Sequence, residues 1–290
     1  MNLLITGANG FIGKAMLKQL QSEHRIYALV RDSDSCIKLD NVEFINHDLS
    51  SRLDTKVLPK KVDAVIHLAQ SNQYRNFPDG MRDMADVNIS GLVDVLEYAR
   101  NASCQQFINF SSGSVYSGAP EAQSEESPIK PSGAYPLTKH IAEQITDLYA
   151  EFFTTLNIRL FFPYGPGQQN MLIPNIIDSV KTGKAIGLQG NQGGLVVCPI
   201  YVDDVVSICE IALQKNTKGL INVAGQKTIS LKQIALEIGK VIDKEPVFSV
   251  DEEATPAEFD PSLTRMSQLI TDDSFVNFTD GIRETINNKN

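Results

Sequence analysis

Through the first two-thirds of the chain, short apolar runs alternate with longer segments in which apolar residues recur every three or four positions. The short runs predict strands and the longer segments predict helices. Strands separated by helices require right-handed crossovers, which give a parallel sheet covered by helices on both faces. The pattern therefore predicts a doubly wound α/β fold. The predicted strands are Leu3–Thr6, Arg25–Val30, Val42–Asn46, Ala64–Leu68, Gln106–Phe110 and Asn157–Phe161.

The pattern changes after residue 162, where Gly and Pro cluster and indicate loops rather than regular layers. Shorter periodic segments continue beyond that point, so we expect a second, smaller α+β part. The predicted helices of the whole chain include Phe11–Gln21, Met81–Arg100, Leu172–Lys181, Val205–Gln214, Leu231–Ile242 and Phe278–Ile286, and two further short strands are predicted at Gly219–Val223 and Val247–Val250.

Charge and composition exclude several classes of protein. The 290 residues carry 26 Lys and Arg against 35 Asp and Glu, a net charge of −9, which disfavours nucleic-acid and anionic-membrane partners. No run approaches the roughly 18 apolar residues of a membrane span, and the start lacks a basic leader, so a cytoplasmic protein is expected. The four cysteines show neither a C-x-x-C pair nor metal-ligand spacing with His, which predicts free thiols and no metal.

The first predicted strand runs into a glycine-rich loop, Thr6–Gly13, that opens a helix. Glycines at 7, 10 and 13 let the backbone turn sharply and approach a diphosphate closely. The helix N-terminus, worth about half a positive charge, then faces the phosphates. Because this loop lies between a strand and a helix, it predicts a Rossmann-type dinucleotide-binding domain.

The end of the second strand distinguishes the two nicotinamide cofactors. An acidic residue there bonds the ribose 2′-hydroxyl, whereas a basic residue accommodates a 2′-phosphate. Val30 stands where the acid is expected and Arg31 follows at once. This favours NADP(H) over NAD(H), and Asp32 keeps NAD(H) as the alternative.

Two later stretches predict catalytic chemistry. Ser111 and Ser112 close a predicted strand, and Tyr135 lies four residues before Lys139 on one helix face. A Lys ammonium near a phenol lowers the pKa of that phenol from about 10 towards neutrality. Such a Tyr can transfer a proton while hydride passes to or from a nicotinamide.

On these motifs the sequence resembles the extended short-chain dehydrogenase/reductase family, the epimerase/dehydratase group that acts mostly on nucleotide sugars. The resemblance implies that Ser112 binds the reacting oxygen, that Tyr135 is the acid/base, and that Lys139 holds the nicotinamide ribose. It also implies a homodimer packed through Met81–Arg100 and Pro136–Phe152. The matching motifs are Thr6–Gly13, His47–Leu49, His67–Ala69, Asn88, Ser111–Tyr116, Tyr135–Lys139, Arg159, Tyr164–Gln168, Pro199–Val205 and Gly281–Ile286.

The motifs and the resemblance together predict a full set of binding residues. Residues 1–163 are expected to form the dinucleotide-binding domain, with 199–225 packing back onto it, and 164–198 and 226–290 the substrate-binding part. The expected cofactor contacts are Gly7, Asn9, Gly10, Phe11, Ile12, Gly13, Arg31, Asp48, Leu49, Leu68, Ala69, Gln70, Asn88, Ser111, Tyr135, Lys139 and Phe162. The expected substrate contacts are Gln70, Asn72, Tyr74, Ser112, Tyr164 and Gln168.

Several residues differ from the family pattern, which makes dehydration and GDP-fucose-type epimerisation less expected. The acidic pair of the dehydratases is replaced by Gly113 and Ser114, and the Cys of GDP-fucose-type epimerase-reductases is also replaced by Ser114. Phe162 replaces an Asn and Val197 replaces an Arg that grip the nucleotide diphosphate in the family. Either the nucleotide is held differently here, or the substrate is not a nucleotide sugar.

Three functions remain. The first is an NADP(H)-dependent reductase of a keto-sugar, of the 4-ketoreductase type and with a nucleotide-linked substrate. The second is a nucleotide-sugar epimerase that uses the same residues and retains its cofactor. The third is a non-catalytic dinucleotide sensor, which would be expected to have lost the Tyr135–Lys139 pair.

Overall fold

The computed structural model describes residues 1–33, 36, 38–116, 122–270 and 275–288. The chain divides into two compact units. Unit 1 comprises Met1–Ser117, Ile129–Arg159 and Val206–Ile221. Unit 2 comprises Gly118–Pro128, Leu160–Val205 and Asn222–Asn290.

The strands of both units are numbered in chain order. They are β1 Asn2–Thr6, β2 Arg25–Val30, β3 Val42–Asn46, β4 Ala64–His67, β5 Gln106–Ser112, β6 Thr154–Leu160, β7 Pro163–Tyr164, β8 Ile186–Gln189, β9 Val196–Val197, β10 Ile200–Tyr201, β11 Gly219–Val223, β12 Ile229–Ser230 and β13 Phe248–Asp251.

The α-helices are numbered in the same way. They are α1 Phe11–Leu20, α2 Met81–Ala85, α3 Leu92–Asn101, α4 Ala134–Leu148, α5 Leu172–Thr182, α6 Val202–Gln214, α7 Leu231–Ile242, α8 Thr264–Ser267 and α9 Phe278–Asn287.

A seven-stranded sheet in the order β11-β6-β5-β4-β1-β2-β3 confirms the predicted doubly wound α/β fold. β1 is parallel to both neighbours, β2 and β4, and its Leu3, Leu4 and Ile5 are fully buried. Such continuous apolar strands are expected where helices cover both faces. The chain winds outward from β1 through β2 and β3, then returns to place β4 on the other side of β1. The resulting switch point opens a crevice at the carboxyl ends of β1 and β4, where ligands bind in such sheets.

The predicted single helix over Met81–Arg100 is wrong in one respect. A π-helical turn at Asp86–Gly91 separates α2 from α3. The turn contains the buried Asn88, whose side chain is hydrogen-bonded on both sides, to Ser71 and to Thr138. Long-range bonds of this kind leave no trace in apolar periodicity, and π-turns of this kind are frequent at functional sites.

Unit 2 contains a strand in the Gly-rich stretch that we expected to be loop. β8 pairs in parallel with β13, and its Ile186 and Leu188 are buried while Gly187 and Gln189 are exposed. The two strands are about sixty positions apart in sequence, so local patterning did not reveal the pair. The core of unit 2 is formed by apolar faces of α5, α7 and α9 packed with these strands. Among the described residues, no helix combines the length and apolarity needed to cross a bilayer.

Candidate functional site

The glycine-rich loop lies in the crevice at the end of β1. Gly7 has a φ of +66°, and a Cβ there would stand 2.8 Å from the Ala69 backbone nitrogen. A Cβ on Gly13 would stand 2.5 Å from the Gly7 carbonyl oxygen. Both positions therefore require glycine, Gly7 because the loop packs against the segment that follows β4, and Gly13 because α1 packs against the loop itself.

The loop and the start of α1 form a cradle that fits the diphosphate of a dinucleotide. Gly10 precedes α1 without a side-chain cap, so the first backbone N–H groups of the helix are open to an anion. Phe11 and Ile12 form the first turn of that helix. The Asn9 side chain donates from Nδ2 to the Asp32 carbonyl at 3.2 Å, and no described group bonds its buried Oδ1. A ribose hydroxyl could donate to that oxygen.

Arg31 lies at the carboxyl end of β2, beside this cradle. The side chain is exposed, and the neighbouring Asp32 is the residue whose carbonyl Asn9 reaches. The position suits contact with a group on the adenosine ribose, and the assignment to a 2′-phosphate stays a prediction.

The remaining predicted cofactor segments directly follow β3 and β4, and their contacts with a cofactor stay predictions. The Leu68 and Ala69 N–H groups both donate to Thr6, at 3.2 Å each, which fixes the start of the loop after β4. Asp48 is exposed and accepts a hydrogen bond from the Ser50 N–H at 2.9 Å, whereas Leu49 is buried.

Tyr135 stands in the first turn of α4 with its hydroxyl in the crevice. The hydroxyl donates to Gln70 Oε1 at 3.2 Å, and the Tyr74 ring centroid lies 5.4 Å from its own. Ser112 lies beside the phenol, and its Oγ is 2.9 Å from Ser114 Oγ. Asn72, also on the loop after β4, is exposed and accepts a bond from Gln73. The structure thus places the predicted catalytic residues Ser112 and Tyr135 beside two predicted substrate contacts. These contacts are Gln70 and Tyr74.

Lys139 is buried beneath this cluster. Its Nζ donates to the Phe110 carbonyl at 2.7 Å and lies 6.0 Å from the centroid of the Tyr135 ring. Burial lowers the pKa of Lys139 to about 8, against the opposing effect of the Glu143 carboxylate. An ammonium group has three donors, so two remain for a ligand.

The expectation that Lys139 brings the pKa of Tyr135 towards neutrality is wrong. Burial raises the pKa of Tyr135 to about 12, and the hydrogen bond from Ser112 only partly opposes this effect. The physical reason is that the phenol loses water while the Lys139 ammonium is directed at the Phe110 carbonyl.

A chain of buried amide and hydroxyl groups positions Tyr135. Asn88 Oδ1 accepts from the Ser71 N–H at 2.8 Å, and its Nδ2 donates to Thr138 Oγ1 at 3.0 Å. The Thr138 hydroxyl in turn donates to the Tyr135 carbonyl at 3.0 Å. Asn88 therefore ties the loop after β4 to the first turn of α4. Its predicted cofactor contact stays a prediction.

Glu143 and Arg159 form a buried ion pair next to Lys139. Arg159 was among the matching motifs, but Glu143 was not identified from the sequence. Glu143 accepts from Arg159 Nε at 2.9 Å and from its Nη2 at 2.8 Å. The Ser111 hydroxyl donates to Glu143 at 2.5 Å, and Arg159 also donates to the Tyr116 hydroxyl at 2.6 Å. The signal that could have found Glu143 is its place four residues after Lys139, on the same helix face.

The three predicted site residues beyond residue 160 lie in unit 2. Phe162 has a φ of +39°, and its ring packs edge-on against Phe259. Tyr164 is buried and donates to the Phe278 carbonyl at 3.4 Å. Gln168 donates to the Pro163 carbonyl at 2.7 Å. Their roles in binding cofactor or substrate stay predictions.

The chain is similar in sequence to the following three proteins. It is 26% identical to a dTDP-4-dehydro-6-deoxy-D-allose reductase of Streptomyces bikiniensis, over 92% of this chain and 90% of the reductase. It is 26% identical to a putative UDP-glucose 4-epimerase of Methanocaldococcus jannaschii, over 80% and 79%. It is also 26% identical to an Arabidopsis thaliana trifunctional UDP-glucose 4,6-dehydratase/3,5-epimerase/reductase, over 86% of this chain but only 40% of that longer protein.

Comparison with solved structures shows a shared fold. A UDP-glucuronic acid 4-epimerase from Bacillus cereus, solved in complex with NAD, superposes with a TM-score of 0.86 at 24% identity, covering 99% of this chain and 96% of the other. The sequence profile of the NAD dependent epimerase/dehydratase family matches residues 3–224, well over half of the chain. With the glycine cradle and the Tyr135–Lys139 pair at the sheet's switch point, the chain thus belongs to the NAD-dependent epimerase/dehydratase family.

Proposed function

We propose that this protein reduces the keto group of a nucleotide-linked sugar with NADP(H). The observation that carries the proposal is the Tyr135 hydroxyl, which donates to Gln70 and has Ser112 beside it, close to the glycine cradle. Support also comes from similarity to a keto-sugar reductase over nearly the full length of both chains.

In the proposed reaction, each residue of the crevice has a separate role. The nicotinamide cofactor, when bound, supplies the hydride. Ser112 donates a hydrogen bond to the substrate carbonyl oxygen, and Tyr135 delivers the proton that this oxygen takes up. Lys139 holds ribose hydroxyls with the two N–H groups that Phe110 leaves available.

The hydrogen bond to Gln70 orients the hydroxyl of the proposed acid. With a pKa of about 12, Tyr135 remains protonated through the physiological range, as a proton donor must be. Its hydroxyl donates to Gln70 Oε1. In the proposed reaction the substrate carbonyl oxygen replaces Gln70 as the acceptor of this proton.

The proposed reaction does not include elimination of water from the sugar. Gly113 and Ser114 occupy the positions of the dehydratase acid pair, and neither side chain can supply a carboxylate. Ser114 instead bonds Ser112 through its hydroxyl and its backbone N–H, at 2.9 Å and 3.2 Å.

The second candidate is epimerisation with a retained cofactor, which similarity to a putative 4-epimerase favours. The two activities differ in the fate of the nucleotide. A reductase consumes its cofactor at each turnover, so the purified protein should release it during gel filtration. An epimerase recycles it in place, so tightly retained oxidised nucleotide, together with isomerisation of UDP- or dTDP-sugars without net NADPH oxidation, would contradict the reductase assignment.

The cofactor preference is tested by replacing Arg31 with Ala. We expect the Kd for NADPH to rise about tenfold or more, because a cation beside a 2′-phosphate contributes a charge-assisted bond, while the Kd for NADH changes little. Arg25→Ala is the matched control, since Arg25 is an exposed cation at the opposite end of the same strand. Equal weakening of both cofactors by Arg31→Ala would contradict the 2′-phosphate contact.

A further inference from the structure

The Ser114 side chain stands two residues after Ser112, and no step of the proposed reaction uses it. β5 ends at Ser112, and the short 3₁₀ turn Gly113–Tyr116 follows at once. Ser114 Oγ lies 2.9 Å from Ser112 Oγ, and the Ser114 backbone N–H donates to the same oxygen at 3.2 Å. Both side chains are half-buried. Ser114 therefore meets the hydroxyl of Ser112 with two polar groups, and the turn holds both of them in place.

The number of hydrogen bonds that one hydroxyl can make limits what Ser112 does. A serine hydroxyl donates one hydrogen and accepts at two lone pairs. The Ser114 N–H can only donate, so it fills one lone pair of Ser112 Oγ. The contact between the two hydroxyls can run either way. If Ser114 donates, the second lone pair is filled and the Ser112 hydrogen is left for a third group, whereas if Ser112 donates, its one hydrogen is used in the bond to Ser114.

The surroundings of Tyr135 favour Ser114 as the donor. The Tyr135 hydroxyl gives its hydrogen to Gln70 Oε1 at 3.2 Å, so its oxygen is left to accept. Ser112 lies beside the phenol and lowers the pKa of Tyr135, which is the effect of a donor directed at the phenolate. Because Ser112 has one hydrogen only, a Ser112 hydroxyl directed at Tyr135 cannot also donate to Ser114. Ser114 is then the donor, and the hydrogen bonds run from Ser114 to Ser112 and on towards Tyr135.

We propose that Ser114 is a positioning residue, which directs the hydrogen of Ser112 at the oxygen that takes up the proton from Tyr135. The inference rests on the proposed function, because that oxygen is the carbonyl oxygen of the substrate in the reductive reaction. When Ser114 fills both lone pairs of Ser112 Oγ, the acceptors left to the Ser112 hydrogen are the Tyr135 oxygen and the substrate. Ser112 and Tyr135 then donate to the same substrate oxygen.

The bond from Ser114 also strengthens Ser112 as a donor. A hydroxyl that accepts a hydrogen bond is polarised and donates more strongly, by about 10–30% per bond in a chain. Negative charge develops on the carbonyl oxygen during the reduction, and donors aimed at that oxygen stabilise the transition state more than the ground state. Removal of the Ser114 hydroxyl should therefore lower kcat rather than raise KM. Ser114 keeps its own proton, since the proposal requires only its hydrogen bond.

The first test measures the pKa of Tyr135, which needs neither substrate nor turnover. A fluorinated tyrosine placed at position 135 of each variant lowers the phenol pKa into the range in which the protein stays folded, and its absorbance follows the titration. Ser112→Ala should raise this pKa by about one unit, because it removes the donor to the phenolate. Ser114→Ala should raise it by a few tenths of a unit, because Ser112 becomes a weaker donor. If Ser112 instead donates to Ser114, the same variant frees the Ser112 hydrogen for the phenolate, and the pKa falls.

The second test separates kcat from KM in whichever reaction the purified protein catalyses, reduction of a keto-sugar nucleotide with NADPH or epimerisation of a UDP- or dTDP-sugar. Ser112→Ala should lower kcat by about 10²–10³-fold, as expected for the loss of a donor to the reacting oxygen. Ser114→Ala should lower kcat by about three- to tenfold and leave KM within about twofold of the wild type. Ser114→Thr keeps the hydroxyl and should restore both kcat and the pKa of Tyr135.

Ser22→Ala is the matched control. Ser22 also donates from a turn, to the Gln19 carbonyl at 3.2 Å, but it lies between α1 and β2, at the amino ends of the strands. Its replacement should change neither the pKa of Tyr135 nor kcat. The proposal is overturned if Ser114→Ala lowers the pKa of Tyr135 or leaves it unchanged, or if its kcat equals that of the wild type. Absence of NADPH-dependent reduction by the wild type would instead contradict the proposed function, and the pKa test would still decide the role of Ser114.

Discussion

Replacing Tyr135 with Phe should lower kcat by about 10²–10⁴-fold, because the variant keeps the ring but loses the proton donor. The Kd for the cofactor should change by less than threefold, since the described contacts of the hydroxyl are to Gln70 and Ser112 and not to the glycine cradle. The measurement is steady-state turnover of a keto-sugar nucleotide, with cofactor binding followed by fluorescence.

Tyr149→Phe is the control for the loss of a hydroxyl as such. The Tyr149 hydroxyl donates to Glu97 at 2.6 Å, just beyond the far end of α4, and its removal should leave kcat unchanged. Loss of cofactor binding in Tyr135→Phe would indicate a structural role for the hydroxyl. Turnover within a few fold of the wild type would remove Tyr135 as the acid.

Replacing Glu143 with Gln should destabilise the protein by about 3–5 kcal/mol, because the Arg159 guanidinium is then left buried without a counter-ion. The two side chains are only 5% and 4% exposed, and they share two hydrogen bonds. The midpoint of urea unfolding measures the effect. Arg159→Met should cost a similar amount by leaving the carboxylate unpaired.

The double variant Glu143→Met/Arg159→Met separates burial of charge from loss of packing. Replacing both members of a buried pair by apolar side chains is often close to neutral, so the double variant should unfold at higher urea than either single variant. Additive losses would contradict this account. A Glu143→Gln midpoint equal to the wild type would show that the pair contributes nothing to stability.

The spacing of residues in the sequence predicts the Tyr135–Lys139 pair but not the Glu143–Arg159 ion pair. Tyr135 and Lys139 were identified from their spacing, because residues four apart on a helix share a face whatever the tertiary structure. Glu143 has the same spacing from Lys139, but nothing local indicates that Arg159, on β6, would pair with it inside the core.

Strand positions and the glycine loop were determined by the sequence itself. The fully apolar core of β1 specifies a buried parallel strand, and the observed bounds of β2 and of the edge strand β3 equal those predicted. Gly7 and Gly13 were singled out by spacing, and each stands where a Cβ would collide with backbone. These features depend on local sterics and burial, which the order of residues carries directly.

Only the tertiary structure decided the features that join distant segments. The π-turn at Asn88, the pairing of β8 with β13, and the direction of the Lys139 ammonium towards Phe110 all depend on contacts between residues far apart in the chain. The pKa of Tyr135 rose rather than fell for the same reason, because burial is set by what packs around the phenol. Hydrophobic periodicity records which face of an element is buried, but not which partner covers it, and the chemistry of this site depends on the partners.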